Sequence, residues 1–265
     1  MSSAVSRARG WAISVGRMVW FFGRVLKGVY SGRVLKFFGE TLRQAGILIL
    51  GSVLIIFALV FLLGLQCGIE SGYGTRAVGA KSAAGAFTAL CDLREVTPYA
   101  FGYMMAAKVG TGIVAELGSM RISDEIDALE VMGFDSILFL CATRLLGMWL
   151  VLPFVYVGAV AVGFIGSYIA VVQQIGQVSP GGYLQIFWQF QSPPDLLFSG
   201  IKGMVMATFI VLVGCYFGYN AGGGPVGVGA ATARSMVVNI LGVHAIGLVG
   251  TQVFWGGNAR APIGG

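Results

Sequence analysis

The sequence predicts an all-α membrane protein with about five transmembrane helices, an N-terminal interfacial amphipathic helix and a short amphipathic helix outside the bilayer. Of the 265 residues, 57% are hydrophobic and only 11% are charged, whereas about a quarter of the residues in a soluble domain are charged. The 42 glycines are typical of helices that pack closely in a membrane. Uncharged runs of about 20 residues disfavour the alternative, a soluble helical core.

Residues 1–44 form the first predicted domain, a basic and aromatic segment. Eight of the 17 Lys and Arg residues lie here, and Arg17, Arg24 and Lys27 fall on one stripe of a helix. Aromatic side chains cover much of the remaining surface, a pattern typical of a helix on the inner leaflet with its basic side toward anionic headgroups. The positive charge predicts a cytoplasmic N-terminus. The net charge of +6 does not indicate nucleic-acid binding.

Residues 45–265 form the second predicted domain, which contains the membrane spans. Residues 45–65 carry no charge and are the clearest transmembrane helix. Four further apolar regions alternate with polar or turn-rich segments, which predicts five spans with the N-terminus inside and the C-terminus outside. A short, partly embedded helix is expected in the first outer loop, at residues 77–90, and a glycine-rich cytoplasmic loop at residues 218–229. The five predicted spans are residues 45–65, 98–115, 145–172, 203–219 and 235–255.

Residues 115–135 carry six of the 11 acidic side chains of the chain. Ser123 is a good N-cap, because its hydroxyl can accept from the free amides of a first helical turn. Gly133 is a good C-terminal stop, because glycine adopts the left-handed conformation at little cost. Between them, apolar residues recur at helical spacing while acidic residues line another face. The stretch therefore predicts a short amphipathic helix on the cytoplasmic side that contacts something outside the membrane.

The sequence contains no convincing nucleotide-binding motif. Residues 222–227 match GxGxxG literally, but they follow a membrane helix rather than a strand, so a dinucleotide site is not indicated. The phosphate-loop motif GxxxxGK[ST] does not occur in the sequence, so an ATP-driven process needs an ATPase on another polypeptide. No Ser/His/Asp, Cys/His or paired-carboxylate set is convincing. We therefore predict no catalytic residues and no cofactor.

The four cysteines do not predict a metal site. They show no CxxC spacing and no histidine at zinc-ligand spacing, so most are expected to be small apolar residues in or beside helices. Cys67 and Cys91 share the outer side in the predicted topology. A disulfide between them is one alternative, and two free thiols are the other.

Three ionisable residues in or beside the predicted spans have more than one interpretation. His244, the only histidine, is either a proton relay or, as we favour, a neutral side chain hydrogen-bonded inside the bundle. Lys108 and Glu116 lie eight residues apart and so share a helix face. They could face an aqueous cavity or pair with one of three charged residues, namely Arg94, Glu95 and Arg144.

Residues 116–132, ELGSMRISDEIDALEVM, resemble a long motif of the MlaE/YrbE permease family: E-x-G-x-M, then an acidic residue and I-D-A-L-E-x-M. The likeness covers nearly the whole chain after about residue 40. Val96-Thr97 departs from the Leu-Gly that the family more often has. The basic, aromatic start looks most like the actinobacterial Mce-associated permeases, which occur as two related, non-identical subunits. The likeness continues at Arg94-Glu95, Arg144, residues 218–221 and residues 227–232.

The resemblance implies a multi-pass permease of the plasma (inner) membrane in an ABC-type lipid transporter. In this family the acidic helix is the coupling helix, which docks into a groove on a separate cytoplasmic ATPase. A second permease subunit, a paralogue or a copy, completes the membrane core, and MCE-domain proteins lie on the outer side. The resemblance implies ATPase-coupling roles for Glu116, Arg121, Asp124, Glu125, Asp127, Glu130 and Met132. For the lipid cavity we expect Phe57, Leu59, Phe61 and Leu62.

Two other functions are compatible with the sequence. An ion-driven secondary transporter would use Glu116, Lys108 and His244, although five spans without a visible inverted repeat argue against it. A membrane scaffold would assemble partner proteins without moving lipid. We expect no nucleic-acid partner for any of these three functions.

Overall fold

The computed structural model describes residues 2–258, with side chains from residue 12 onward. This part of the chain is helical and contains no strand, which confirms the predicted all-α class. Its α-helices are α1 (Ser2–Tyr30), α2 (Phe38–Ala77), α3 (Ala84–Cys91), α4 (Thr97–Met104), α5 (Thr111–Ile122), α6 (Glu125–Val131), α7 (Thr143–Tyr168), α8 (Pro180–Gln189), α9 (Pro193–Tyr219) and α10 (Gly224–Trp255).

Four helical stretches in the described residues are long and apolar enough to cross a membrane, and they contain four of the five predicted spans. The remaining predicted span, residues 98–115, is helical but is divided among α4, a π-helix at Met105–Gly110 and α5. Lys108 lies in that π-helix and lowers the apolar character of the stretch. The count of five spans therefore stays a prediction. The four stretches are Arg33–Ala77, Leu138–Ile175, Pro193–Tyr219 and Gly224–Trp255.

Helix α2 is much longer than the span predicted for it. It runs for 40 residues, about 60 Å at 1.5 Å per residue, whereas the hydrocarbon core of a bilayer is about 30 Å thick. Glu40 lies in its first turn and Arg76 in its last, so both ends are polar enough for the headgroup regions. The predicted domain boundary at residue 44 lies inside this helix, so no break in the backbone marks it.

The glycine-rich loop is shorter than predicted. Helix α9 continues to Tyr219 and α10 begins at Gly224, so only four residues of the expected loop lie between helices. Pro225 is compatible with this helix start, because a proline in the first turn needs no amide donor. Gly223 and Gly224 have φ angles of 83° and 68°, which glycine adopts without a Cβ clash.

One compact unit of the structure is assembled from three separated segments of the chain: Met1–Leu48, Val109–Leu150 and Thr208–Asn239. The Phe21 ring of α1 packs against Tyr216 and Tyr219 of α9, with ring centroids 5.7 Å apart in both pairs. Gly218 of α9 lies so close to α5 that a Cβ atom there would come within 2.8 Å of the Leu117 Cβ. Aromatic and close-packing contacts therefore hold α1, α5 and α9 together.

Helix α1 has an exposed basic stripe and a buried apolar face. Arg17, Arg24 and Lys27 are exposed, whereas Val25 is fully buried. An Arg24 nitrogen also lies 3.8 Å from a carboxylate oxygen of Asp135, which adds an ionic contact to the aromatic ones. The position of α1 at a membrane surface stays a prediction.

The second compact unit is assembled from Ile49–Lys108, Val151–Ala207 and Ile240–Gly265, of which residues up to 258 are described. Its apolar cluster joins α3 to α8, where Tyr183 and Phe187 are buried against alanines of α3. The Tyr183 hydroxyl also lies 2.8 Å from the Thr88 hydroxyl. Helices α2 and α7 touch backbone to backbone at Gly64 and Gly163, where a side chain would have no room.

The close contact between α2 and α7 predicts how a methyl group added at Gly64 changes the stability of the fold. A Cβ on Gly64 would meet the carbonyl oxygen of Gly163 at 2.3 Å, and backbone cannot move aside as a flexible side chain can. Gly64→Ala should therefore destabilise the fold by about 1–3 kcal/mol, the usual cost of overpacking. The measurement is thermal unfolding of the purified protein in detergent micelles.

Gly51→Ala is the matched control for Gly64→Ala. It lies on the same helix with no atom within 4 Å of the added Cβ, so it should stabilise α2 slightly or have no effect. Equal unfolding temperatures for the two variants would contradict the packing of α2 on α7.

Candidate functional site

The acidic stretch folds as two helices joined by a sharp turn. Helix α5 ends at Ile122 and α6 begins at Glu125, and Asp124 between them has a φ of 59° in the left-handed region. The prediction that Ser123 caps α6 is wrong. Its hydroxyl lies 3.0 Å from the Ser119 carbonyl oxygen and 2.8 Å from a Glu125 carboxylate oxygen, so it bonds back to α5 and to a side chain. The tight turn at Asp124, rather than a capping hydroxyl, sets the start of α6.

Gly133 ends α6 as predicted. Its φ is 85°, and its amide donates to the Glu130 carbonyl oxygen at 2.9 Å. The next amide, of Phe134, donates to the Leu129 carbonyl oxygen at 3.1 Å. These two bonds satisfy carbonyl groups that the last helical turn leaves open, so α6 is a defined, short element.

Glu130 fixes α6 to α9. Its Oε1 atom accepts from the Ser136 hydroxyl at 2.6 Å and from the Tyr219 hydroxyl at 2.9 Å. These bonds, first the one from Ser136, hold the pKa of Glu130 below its usual value, and desolvation offsets them only in part. Ile126, one turn earlier, is fully buried. One face of α6 is thus anchored within its own unit.

Of the other residues predicted for coupling, Glu116 and Arg121 lie on α5, and the rest lie on α6 or on the turns at its two ends. Asp124 and Glu125 are exposed, and Asp127 forms an ion pair of 2.5 Å with Arg121 of α5. Met132 has 63% of its surface exposed. Three of the seven predicted coupling residues are therefore exposed to a partner, whereas Glu116, Arg121, Asp127 and Glu130 are held in bonds within the chain.

Two apolar residues beside Met132 were missed by the sequence analysis. Val131 is 88% exposed and Phe134 is 42% exposed, which is unusual for side chains of this size next to a buried Ile126. The signal was present in the sequence, because Val131 falls on the polar face of the helical pattern. Together with the carboxylates of Asp124 and Glu125, they form a mixed apolar and acidic patch, which we name the α6 patch (residues 124, 125, 131, 132 and 134).

Glu116 is paired inside its unit. Its carboxylate lies 2.6 Å from an Arg144 nitrogen, and the Arg144 side chain is only 4% exposed. Arg144 also donates to the Leu140 carbonyl oxygen at 3.1 Å. Of the three charged partners that the sequence left open, the structure brings Arg144 to Glu116, so Glu116 links α5 to the segment that begins α7.

The second unit holds a network of charges in otherwise apolar helices. Lys202 of α9 is buried and donates to a Glu95 carboxylate oxygen at 2.8 Å and to the Thr251 hydroxyl at 2.7 Å. Arg94 pairs with buried Asp195 at 2.9 Å. Arg94 and Glu95 belong to the family resemblance, whereas Lys202 and Asp195 were not predicted, although isolated charges in apolar segments often have such a role.

An apolar groove of about 650 Å³ lies in the second unit. Its walls include Leu63 in the second half of α2, Val78 just after α2 and Phe87 of α3. The predicted cavity residues are not among those that line this groove. The Phe57 ring lies against Gly158 of α7 instead. The four residues predicted for the cavity, Phe57, Leu59, Phe61 and Leu62, precede the groove along α2.

A disulfide joins Cys67 and Cys91. Of the two alternatives that the sequence allowed, a disulfide or two free thiols, the structure has the disulfide. Both cysteines line the groove. Their sulfur atoms and the Asp92 carboxylate lie within 4.8 Å of one another. The disulfide removes the two thiolates that a metal ion would need.

His244 is hydrogen-bonded at both ring nitrogens. Nδ1 donates to the Ile240 carbonyl oxygen at 2.9 Å, and Nε2 lies 3.0 Å from the Tyr103 hydroxyl, from which the nitrogen of a neutral ring can accept. This pattern fits the neutral side chain favoured from the sequence. The ring is exposed on the surface of this chain rather than enclosed in a bundle.

Comparisons with known proteins agree with the motif in α5 and α6. The family model described as "Permease MlaE" matches residues 41–253. A probable ABC transporter permease protein of Rickettsia bellii is 28% identical over 204 residues, which are 77% of this chain and 78% of that protein. The intermembrane phospholipid transport system permease protein MlaE of Haemophilus influenzae is 24% identical over 241 residues, 88% of this chain and 90% of that protein.

A plant protein is similar over much of the same region. The chloroplastic protein TRIGALACTOSYLDIACYLGLYCEROL 1 of Arabidopsis thaliana is 27% identical over 234 residues, which are 88% of this chain and 65% of that protein. Similarity to this chain is therefore not confined to bacterial proteins.

The bonds to Glu130 predict how pH acts on the link between α6 and α9. Since its pKa in the fold is lowered, the stabilisation is present above the ordinary pKa of a glutamate and is lost as pH falls through the lowered value. Tyr219→Phe should cost about 0.5 kcal/mol near pH 7, because Glu130 is largely solvated. The measurement is unfolding of wild type and variant at several pH values.

The cost of Tyr219→Phe should shrink as pH falls and Glu130 is protonated. Glu130→Gln in both backgrounds is the control, because the tyrosine change should then lose its pH dependence. A difference between the proteins that is constant with pH, or that grows toward low pH, would contradict the assigned bond.

Proposed function

Because the chain belongs to the MlaE permease family, we propose that it is the membrane-spanning subunit of an ABC-type lipid transporter, with ATP hydrolysis on a separate subunit. The observation that carries the proposal is α6: a short helix anchored on one face and presenting an acidic and apolar patch on the other. The names of the similar proteins, an ABC transporter permease and an intermembrane phospholipid transport permease, support the same role.

The α6 patch suits docking to another protein. Exposed Val131 and Met132 supply apolar contact area, and the carboxylates of Asp124 and Glu125 supply charge complementarity toward a basic groove. In the proposed role these residues contact the ATPase. Asp127 and Glu130 act differently, since each ties α6 to another helix.

Bonds within the first unit give a displaced α6 a route into the long helices. The Asp127–Arg121 pair ties α6 to α5, and the Glu130–Tyr219 bond ties α6 to α9. Glu116 then ties α5 to Arg144. A push on the patch by the ATPase would therefore act on α5, α7 and α9 together, which is how nucleotide-driven closure would reach the membrane segments.

The partners follow from the proposed orientation, with the N-terminus in the cytoplasm. The unit that contains basic α1 and acidic α6 would face the ATPase. A second permease, a copy or a paralogue, would cover apolar side chains that are exposed in this chain, such as Leu50 at 91% and Leu248 at 72%. MCE-domain proteins would lie on the outer side of the plasma membrane.

The groove in the second unit is the best candidate for the substrate. Its volume of about 650 Å³ falls in the range typical of small-molecule sites, and its apolar walls suit the acyl chains of a lipid. The residues predicted from the sequence, Phe57, Leu59, Phe61 and Leu62, stay candidates for a path next to it. We propose lipids as the substrate class without choosing a headgroup.

A charge placed in the α6 patch tests the coupling role. Val131→Asp puts an unpaired carboxylate where an apolar contact is expected, so it should weaken binding of the ATPase about tenfold or more. The measurement is the amount of ATPase that co-purifies with the tagged permease, together with the ATPase activity of the complex. Insertion into the membrane should be unchanged, because Val131 is exposed.

Val226→Asp is the matched control. Val226 is equally exposed, at 85%, and lies in the first turn of α10 rather than on α6. It should retain the ATPase at the wild-type level. Full retention by Val131→Asp, or an equal loss in both variants, would overturn the assignment of the α6 patch.

A further inference from the structure

The disulfide between Cys67 and Cys91 is placed where a small molecule can reach it. It joins α2 to the end of α3 and closes a segment of 24 residues. Both cysteines line the groove of the second unit. Cys67 is 6% exposed, whereas Cys91 is partly exposed. An attacking group that enters the groove would therefore meet the sulfur of Cys91 first.

The residue after Cys91, Asp92, carries a buried carboxyl group. Asp92 is fully buried, and neither of its oxygens makes a hydrogen bond in the described part of the chain. It lies in a π-helix outside the four long apolar stretches. Burial raises the pKa of Asp92 well above its usual value, and the nearby Ser167 hydroxyl opposes this only in part. A protonated acid is the stable form here, because an isolated buried carboxylate is costly.

The acid and the two sulfur atoms form one cluster. The carboxyl oxygen of Asp92 and the sulfur atoms of Cys67 and Cys91 all lie within 4.8 Å of one another. A disulfide held only for stability needs no acid beside it. A disulfide that is opened can use one, because the sulfur that leaves carries a negative charge until it is protonated.

We propose that Cys67, Cys91 and Asp92 form a thiol–disulfide exchange site that takes a dithiol reductant through the groove, with Asp92 as the proton donor to the leaving sulfur. The proposal does not depend on lipid transport. It fits the proposed orientation, because the compartment outside the plasma membrane is where a disulfide persists.

The exchange balances as two electrons and two protons. A thiolate of the dithiol attacks the Cys91 sulfur, the bond between the two cysteines breaks, and the electron pair goes to the Cys67 sulfur. Cys67 then takes the proton of Asp92. The second thiol of the reductant loses its proton to solvent and displaces Cys91 from the mixed disulfide. Cys91 and Asp92 each take a proton from solvent, matching the two that the dithiol released, so that two cysteine thiols and one oxidised dithiol remain.

Opening the bond would change the groove as well as the sulfur atoms. The disulfide is a covalent link between α2 and α3, which form two walls of the groove. Without it, the segment between the cysteines loses one of its constraints. The redox state of the pair would then set how freely the groove wall moves.

The test measures the rate of reduction by dithiothreitol in membranes that contain the full chain. Samples are quenched with acid, and free thiols are alkylated and counted by mass. Cys141 and Cys215 are buried free cysteines and give a constant background. The rate is divided by the thiolate concentration of dithiothreitol at each pH. In wild type this normalised rate should fall as pH rises and Asp92 loses its proton.

At a pH where Asp92 is protonated in wild type, Asp92→Asn should reduce the normalised rate about tenfold, which is a small effect for general acid catalysis. The normalised rate of this variant should no longer depend on pH. Glu70→Gln is the matched control, because it removes another carboxylate that lines the groove and should change the rate less than about twofold by altering charge alone. An equal slowing in Glu70→Gln would overturn the role of Asp92.

If Asp92→Asn does not fold, measurements on the wild-type protein alone still test the proposed exchange site. A normalised rate that is independent of pH in wild type would overturn the proposal. So would alkylation of both Cys67 and Cys91 without any reductant, since the pair would then not be a disulfide.

Discussion

Charge pairing inside apolar helices is the constraint on which most of this structure depends. A charged side chain taken from water into a low-dielectric surrounding loses several kcal/mol of solvation, which only a close partner and further hydrogen bonds recover. Arg144 meets this need through Glu116, and Lys202 meets it through Glu95 and Thr251. Each pair joins residues that are distant in sequence, so each one fixes how helices of its unit are aligned.

Contacts within its own unit also make α6 suited to the proposed coupling role. Its anchored face is fixed by one buried apolar residue, Ile126, and by the hydrogen-bonded carboxylate of Glu130. Its outward face carries the exposed carboxylates and apolar groups of the α6 patch. A helix of seven residues would be marginal alone, and the bonds at both of its ends are what keep it folded and stiff enough to transmit a push.

Local patterns in the sequence were sufficient for the helical class, the membrane character, the stop at Gly133 and the family. They were not sufficient where tertiary contacts decide. The start of α6 is set by the backbone turn at Asp124 rather than by Ser123, and the pairing of Glu116 was open among three partners. Lys202 and Asp195 were missed because their partners lie about a hundred residues away. Nothing local to either residue encodes such a pairing.

Transport driven by ATP is the property that separates a permease of this family from an ion-driven carrier built on Glu116, Lys108 and His244. The decisive measurement is transfer of a fluorescent phospholipid by the purified complex in proteoliposomes, with ATP and a proton gradient supplied separately. We expect transfer with ATP alone, lost when ATP is removed and unchanged when the gradient is collapsed. Transfer that continues without ATP and stops with the gradient would contradict the ABC-type mechanism.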